Sequence, residues 1–246
     1  MGYIIDPSND EVWVAIKPQL KKEDLVKRIL SSDIMVSDLD DTDTPSPAKE
    51  IAYTSLKRPK YLSDPKFWLW CISSEYKLIK NGKNAESETW ATFIEKFLRN
   101  PKELEKLKQK YTPEFVASKF YQGAMDFYGL MPLNMIKIYL TRNIKEVAES
   151  YKQSASFDEV MAEQFDKENS IKRISQKYPE RRKFIVKGDS PEDEQMLKVL
   201  IHEKQRGKLD QVTSIYVADS QNHINPNFDV NIGRNYRGLV ELLQTC

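Results

Sequence analysis

The stretch SDLDDTDTPSP (37–47) places four acids, Asp38, Asp40, Asp41 and Asp43, directly after the apolar run Ile34-Met35-Val36. Like charges this close repel, and burying them is costly unless a positive group stands near. Two readings are open: an acidic loop in solvent, or a cluster that holds a cation and does chemistry. Similar strand-end positions recur downstream. The run IYLT ends on Thr141, Lys167 opens a helical pattern just after a short strand pattern, and IVKGDSPED sets Asp189 and Asp193 behind another apolar run. Hard cations such as Mg²⁺ take oxygen ligands, commonly one or two carboxylates completed by substrate phosphate and water. A hydroxyl at Thr141 and an ammonium at Lys167 are suited to phosphate oxygens and to spreading their charge.

The elements that must position these residues alternate. A strand is expected in EVWVAI (11–16), a helix over 21–32 with Leu25, Ile29 and Leu30 on one face, and a buried strand in DIMV before the acidic loop. From about 50 to 131 the pattern is helical and aromatic. Ser87 is a candidate N-cap, Trp90, Phe93, Ile94 and Phe97 form one stripe, Pro101 opens a helix, and a further helix over 112–132 breaks near Gly123. These aromatics, and the tryptophans in general, are read as core. Strands return at 135–140, 157–165, from 183 and at 212–219, each followed by a helical pattern except the last, whose partner is the closing helix 236–244. Strands alternating with helices predict an α/β fold: a Rossmann-like parallel sheet with helices on both faces and an inserted, mostly α-helical segment. In such sheets ligands gather beyond the carboxyl ends of the strands, where these acids, Thr141 and Lys167 fall.

In this order DLDDT, IYLTRN, FDKENSIKRI and IVKGDSPED resemble the four signatures of the haloacid dehalogenase-like hydrolases, from about Asp33 to Ala218. The resemblance implies a Mg²⁺-dependent phosphomonoester hydrolase acting on a small phosphorylated metabolite; a phosphotransferase or mutase of the same superfamily and a catalytically silent binding protein are its alternatives. Asp38 would be the nucleophile and form an aspartyl-phosphate, and Asp40 the general acid and then base. Asp38, Asp189 and the backbone carbonyl of Asp40 would hold Mg²⁺, with Asp193 supporting the metal shell or the lysine. Thr141 and Lys167 would grip the phosphoryl group, with Thr42 and Arg142 beside the substrate. Residues 1–49 and 132–246 would form the core, with 1–32 as an N-terminal extension, and 50–131 a helical cap. Asp43 stands where the family has an apolar residue after Thr42.

Several neighbours compete for these roles. Lys172 and Lys187 rival Lys167, and Lys187 is expected to point along its strand. VADSQNHINP (217–226) rivals the fourth signature, but His223 stands in place of the second acid. Asp41 and Asp43 are expected as solvated charges or helix N-terminal acids, His202 and His223 as solvated or structural, and the basic run SLKRPKY (55–61) as a solvated face. A receiver-type signalling domain uses a similar acid, hydroxyl and lysine set, but the long stretch after Asp38 argues against it. The net charge of +1 across 246 residues gives no reason to expect a nucleic-acid or membrane surface. Cys71 and Cys246 form neither a metal spacing nor a disulfide framework. Met1 is followed by no basic-then-apolar leader, so a soluble, cytoplasmic protein is expected.

Overall fold

A computed structural model of the chain describes residues 4–5, 12–56, 63–81 and 86–245. The chain opens with β1 (Ile4–Ile5), β2 (Val14–Ile16), α1 (Lys22–Leu30) and β3 (Ile34–Ser37). A helical insertion follows: α2 (Pro47–Leu56), α3 (Pro65–Asn81), α4 (Glu86–Phe93, continued by a π-helical turn over Ile94–Leu98), α5 (Pro101–Lys110), α6 (Pro113–Ala117) and α7 (Ala124–Gly129). The remainder alternates: β4 (Ile136–Leu140), α8 (Lys145–Ser154), β5 (Glu159–Met161), α9 (Lys167–Lys177), β6 (Lys183–Gly188), α10 (Pro191–Gln205), β7 (Gln211–Val217), β8 (Val230–Ile232) and α11 (Arg237–Thr245).

The strands form one sheet in the order β1-β2-β8-β7-β6-β3-β4-β5. From β8 to β5 all neighbours are parallel, and β2 and β1 extend the β8 edge antiparallel. Strand alternation divides the core in two. Met35, Tyr139, Ile185 and Ile215 face the layer that contains α1, α8, α11 and the insertion. Ile34, Val36, Ile138, Leu140, Phe184 and Val186 face α9 and α10. A central strand buried on both faces is mostly apolar, which is why Ile34-Met35-Val36 of β3 and Phe184-Ile185-Val186 of β6 read as continuous runs. The chain steps from β3 outward through β4 and β5, then returns to the other side of β3 at β6, so the crevice beside β3 is the switch point where ligands bind such sheets.

Details of the sequence reading change. Leu25, Val26 and Ile29 are the buried face of α1, whereas Leu30 is exposed. The insertion turns helical at Pro47, where Ser46 accepts from the Lys49 amide and caps the start. Helix α4 already begins at Glu86, so Ser87 lies inside it rather than at its cap. The break near Gly123 is a true one: Gly123 has φ +78°, and a Cβ there would crowd the Arg237 amide nitrogen. The insertion shares a continuous apolar core with the sheet, Phe67, Phe93, Leu107 and Phe127 joining Met35 and Tyr139. Most of the basic run 55–61, and Cys246, lie outside the described residues. Among the described residues no helix is long and apolar enough to cross a membrane.

Candidate active site

Three strand ends and one helix start meet at the switch point. Register does the positioning: Ser37 lies level with Lys187 and Tyr139, and the Asp38 amide continues the ladder to the Lys187 carbonyl at 2.9 Å. Asp38, Thr141 and Asp189 therefore leave the sheet side by side. In GDSPED each residue has a local task. Gly188 is tightly constrained, because a Cβ there would overlap the Asp193 carboxyl. Ser190 caps α10, Pro191 fills its first position, and Asp193 completes a capping box with Ser190. In α9, Asp166 caps by accepting from the Asn169 amide, which sets Lys167 as the first helical residue with its stem turned inward.

Lys167 is buried, with Nζ 2.9 Å from Asp38 Oδ2 and 2.7 Å from Asp193 Oδ1. The other oxygen of Asp193 accepts from the amides of Asp189 and Ser190 and from the Ser190 hydroxyl. Asp193 thus holds the lysine and the turn carrying Asp189. Asp38, Asp189 and Asp193 each offer an oxygen within 4.8 Å of the others. One ammonium does not balance three such acids. Burial, opposed by the Lys167 ammonium and reinforced by the Asp193 and Asp40 charges, pushes the Asp38 carboxyl up to about 7. Burial and the charges of Asp193 and Asp38 likewise hold Asp189 well above the usual carboxylate range. Burial works against the Lys167 charge, but Asp193 and Asp38 prevail and hold it above the usual lysine range. An all-oxygen donor set with excess negative charge fits a hard divalent cation such as Mg²⁺.

Asp40 is held in place through both of its carboxyl oxygens. Its Oδ1 accepts from the Ser46 hydroxyl at 2.7 Å and the Ala48 amide at 3.1 Å, at the start of α2. Its Oδ2 accepts from the Thr141 hydroxyl at 3.2 Å, and Asn143 Nδ2 reaches both oxygens. Asn143 is fully buried and escaped the sequence reading, although it stands two residues past Thr141 in the same TRN turn. Thr42 is buried and donates to Asp189 Oδ1 at 2.9 Å, so its hydroxyl orients that acid. Arg142 lines the crevice within 3.5 Å of Glu192.

The rival lysines separate. Lys172 pairs with Glu168 on the surface of α9. Lys187 does not point along its strand; it is fully buried and ion-paired to Asp43, which is equally buried and not a solvated charge. Tyr128 and Tyr236 complete this cluster: both hydroxyls contact the Lys187 ammonium and Asp43, and Tyr236 also reaches the Thr42 carbonyl at 2.8 Å. The cluster ties the acidic loop to β6, α7 and the start of α11. Asp41 is partly exposed and pairs with Lys49. Asp219 and His223 of the rival signature contact each other on the exposed surface and are not part of the acidic group.

Neither protein-family models nor curated proteins give a match to the sequence. Solved structures do match the fold. One is a protein from Burkholderia xenovorans assigned to the haloacid dehalogenase-like hydrolases: 14% identity, 87% of this chain and 99% of that one covered, TM-score 0.51. Another is a phosphoserine phosphatase solved as an analogue of its phospho-aspartyl intermediate: 13% identity, 85% and 98% covered, TM-score 0.51. At such identities the likeness is one of fold, and the chain has the α/β fold of the haloacid dehalogenase-like hydrolases.

Proposed function

We propose that this protein is a phosphatase of the haloacid dehalogenase-like superfamily, a Mg²⁺-dependent phosphomonoester hydrolase acting on a small phosphorylated metabolite through an aspartyl-phosphate. The observation that carries the reading is the buried Lys167 ammonium bridging Asp38 and Asp193 at the carboxyl ends of β3 and β6, with Asp189 alongside. Asp38 and Asp189 would hold the cation together with the Asp40 carbonyl, and Asp193 stands behind them. Bound there, Mg²⁺ supplies charge that offsets the acids and the phosphoryl oxygens.

The residues divide the work as follows. An ionised Asp38 oxygen attacks phosphorus, forming an O–P bond as the bond to the leaving oxygen breaks. Asp40 gives that oxygen its proton, then takes one from the water that attacks the aspartyl-phosphate and releases inorganic phosphate. Thr141, Asn143 and Ser46 hold the Asp40 carboxyl in place for both transfers. Lys167 favours the charged form of Asp38 against burial and meets the charge on the phosphoryl oxygens. The second acid argues for phosphate esters, since displacement of a halide needs no protonation.

The test is hydrolysis of an aryl phosphate with Mg²⁺, with EDTA, and by Asp38→Asn protein. Turnover that needs Mg²⁺ and falls by at least about 10⁴-fold in the variant supports the reading. If nothing is hydrolysed and beryllofluoride with Mg²⁺ leaves the melting temperature unchanged, the reading fails.

A further inference from the structure

Beyond the acids the crevice opens into a cavity of about 270 Å³, floored by Asp40 and Asp189. Its far wall is not polar. Trp70, Trp90 and Phe93 line it, with the small side chains of Ala48 and Ala52 leaving the space open. The sequence pattern assigns these rings to a helical core; in the structure Trp70 and Trp90 are partly exposed toward the site, and the buried Phe93 backs them. Their geometry is fixed. Trp90 and Phe93 stack at 5.4 Å with 23° between planes, Trp70 lies 5.1 Å from Phe93, and Trp90 Nε1 donates to the Arg142 carbonyl at 3.1 Å. That last bond ties the aromatic wall to the turn that carries Thr141.

Each of the two cations at the cavity stands beside an acid. Lys49 pairs with Asp41, and Arg142 lies beside Glu192. An anionic leaving group would have to break these pairs to reach a cation, whereas the rings offer flat apolar area with no such cost. An apolar cavity of roughly 150 Å³ holds a benzene ring, so this one has room for a ring and the carbon that bears the phosphate.

We infer that the substrates are phosphate monoesters whose leaving alcohol carries an uncharged flat aromatic ring, seated against Trp70, Trp90 and Phe93. The inference rests on the phosphatase reading above and narrows it. Phosphoserine-like or polyol phosphates would leave the aromatic wall unused.

The experiment compares benzyl phosphate, glycerol 3-phosphate and O-phosphoserine with Mg²⁺. All three are esters of alkyl alcohols, so leaving-group acidity does not set the order. Benzyl phosphate is expected to exceed the other two by roughly 10- to 100-fold in kcat/KM, the range that apolar pocket contacts provide. In Trp90→Leu that ratio falls by about tenfold, with the change in KM. Should Trp90→Leu fail to fold, Trp70→Leu and the wild-type ranking decide. If glycerol 3-phosphate or O-phosphoserine matches or outruns benzyl phosphate, in a reaction lost in Asp38→Asn, the aromatic assignment is overturned and the phosphatase reading stands. If none of the three is hydrolysed and beryllofluoride with Mg²⁺ does not raise the melting temperature, the phosphatase reading falls and takes this inference with it.

Discussion

Removing one charge of the Asp43–Lys187 pair tests how the acidic loop after β3 is held. Both side chains are fully buried, and the pair joins the loop after β3 to the central strand β6. In Lys187→Met the Asp43 carboxylate keeps the Tyr128 and Tyr236 hydroxyls but loses its only buried cation among the described residues. Breaking a buried ion pair from one side costs about 3–5 kcal/mol. The two phenols remain as donors, which places this variant near the lower end, about 3 kcal/mol. Against a usual stability of about 5–15 kcal/mol that is a large fraction. With an m-value near 3 kcal/mol/M, the urea midpoint falls by about 1 M. Asp43→Leu is expected to cost less. Burial already holds the Lys187 ammonium below the usual lysine range, despite Asp43, so the lysine can shed its proton and remain as a neutral amine. The double variant removes both charges and should return to within about 1 kcal/mol of the parent, because apolar replacement of a buried pair is often neutral or better. Urea unfolding followed by far-UV circular dichroism measures all four proteins, and the cycle should give a coupling of about 2–3 kcal/mol. If the double variant loses the sum of the two single losses, or if Lys187→Met unfolds at the parent midpoint, the pair does not anchor the loop as argued.

Other perturbations read the site directly. Lys167→Met strips Asp38 and Asp193 of their ammonium, so turnover should fall by at least about 10³-fold and the melting temperature should drop. Lys167→Arg should not restore turnover, since the buried pocket fits an ammonium and not a planar fork. Gly188→Ala forces the Asp193 carboxyl aside, and a displacement of about 1 Å in the shell costs about 10²-fold in kcat. Asn143→Ala frees both Asp40 oxygens of one donor and should lower kcat about tenfold with little change in KM, read from steady-state hydrolysis. The pH response of the metal-free protein has a definite sign. The Asp38 carboxyl titrates near 7 when folded, above its unfolded value, so its protonated form stabilises the fold at low pH and that contribution is lost as pH rises from about 4 through 7. Because Mg²⁺ needs the ionised acids, the rise in melting temperature it gives should grow over the same window and level off above it. A Mg²⁺ increment that shrinks between pH 5.5 and 8 would contradict this.

The parallel core was legible because burial on both faces leaves an unmistakable mark: β3 and β6 are apolar runs ended by acids and glycine. The edge was not. The strands β1 and β8 have two and three residues, too few to show a period, and β8 is joined to the edge through β2 at the opposite end of the chain. The start of the insertion was readable in principle, since Ser46-Pro47 repeats the cap-then-proline order of Asn100-Pro101. The side of each tryptophan was not readable, because helical period sorts a ring to the inner stripe without saying whether core or cavity lies there; Trp70 and Trp90 meet both.

The least expected part of the site had a signal of its own. Lys187 interrupts a strand whose other interior residues are all apolar, and Asp43 occupies a loop position where the resembled signature is apolar. Read singly, each looks like a surface charge. Read together, they are two misplaced charges of opposite sign, one on the strand beside β3 and one on the loop that leaves β3. A lone buried charge would be rejected, so their burial requires that they meet. Strand alternation even names the side: Lys187 follows Ile185 by two residues and so faces the layer of Met35 and the insertion, where Tyr128 and Tyr236 supply the remaining bonds. The pair therefore follows from charge and period alone once strand β6 is accepted as central, and its cost in desolvation is offset only if the loop bearing Asp38 and Asp40 stays where the sheet puts it.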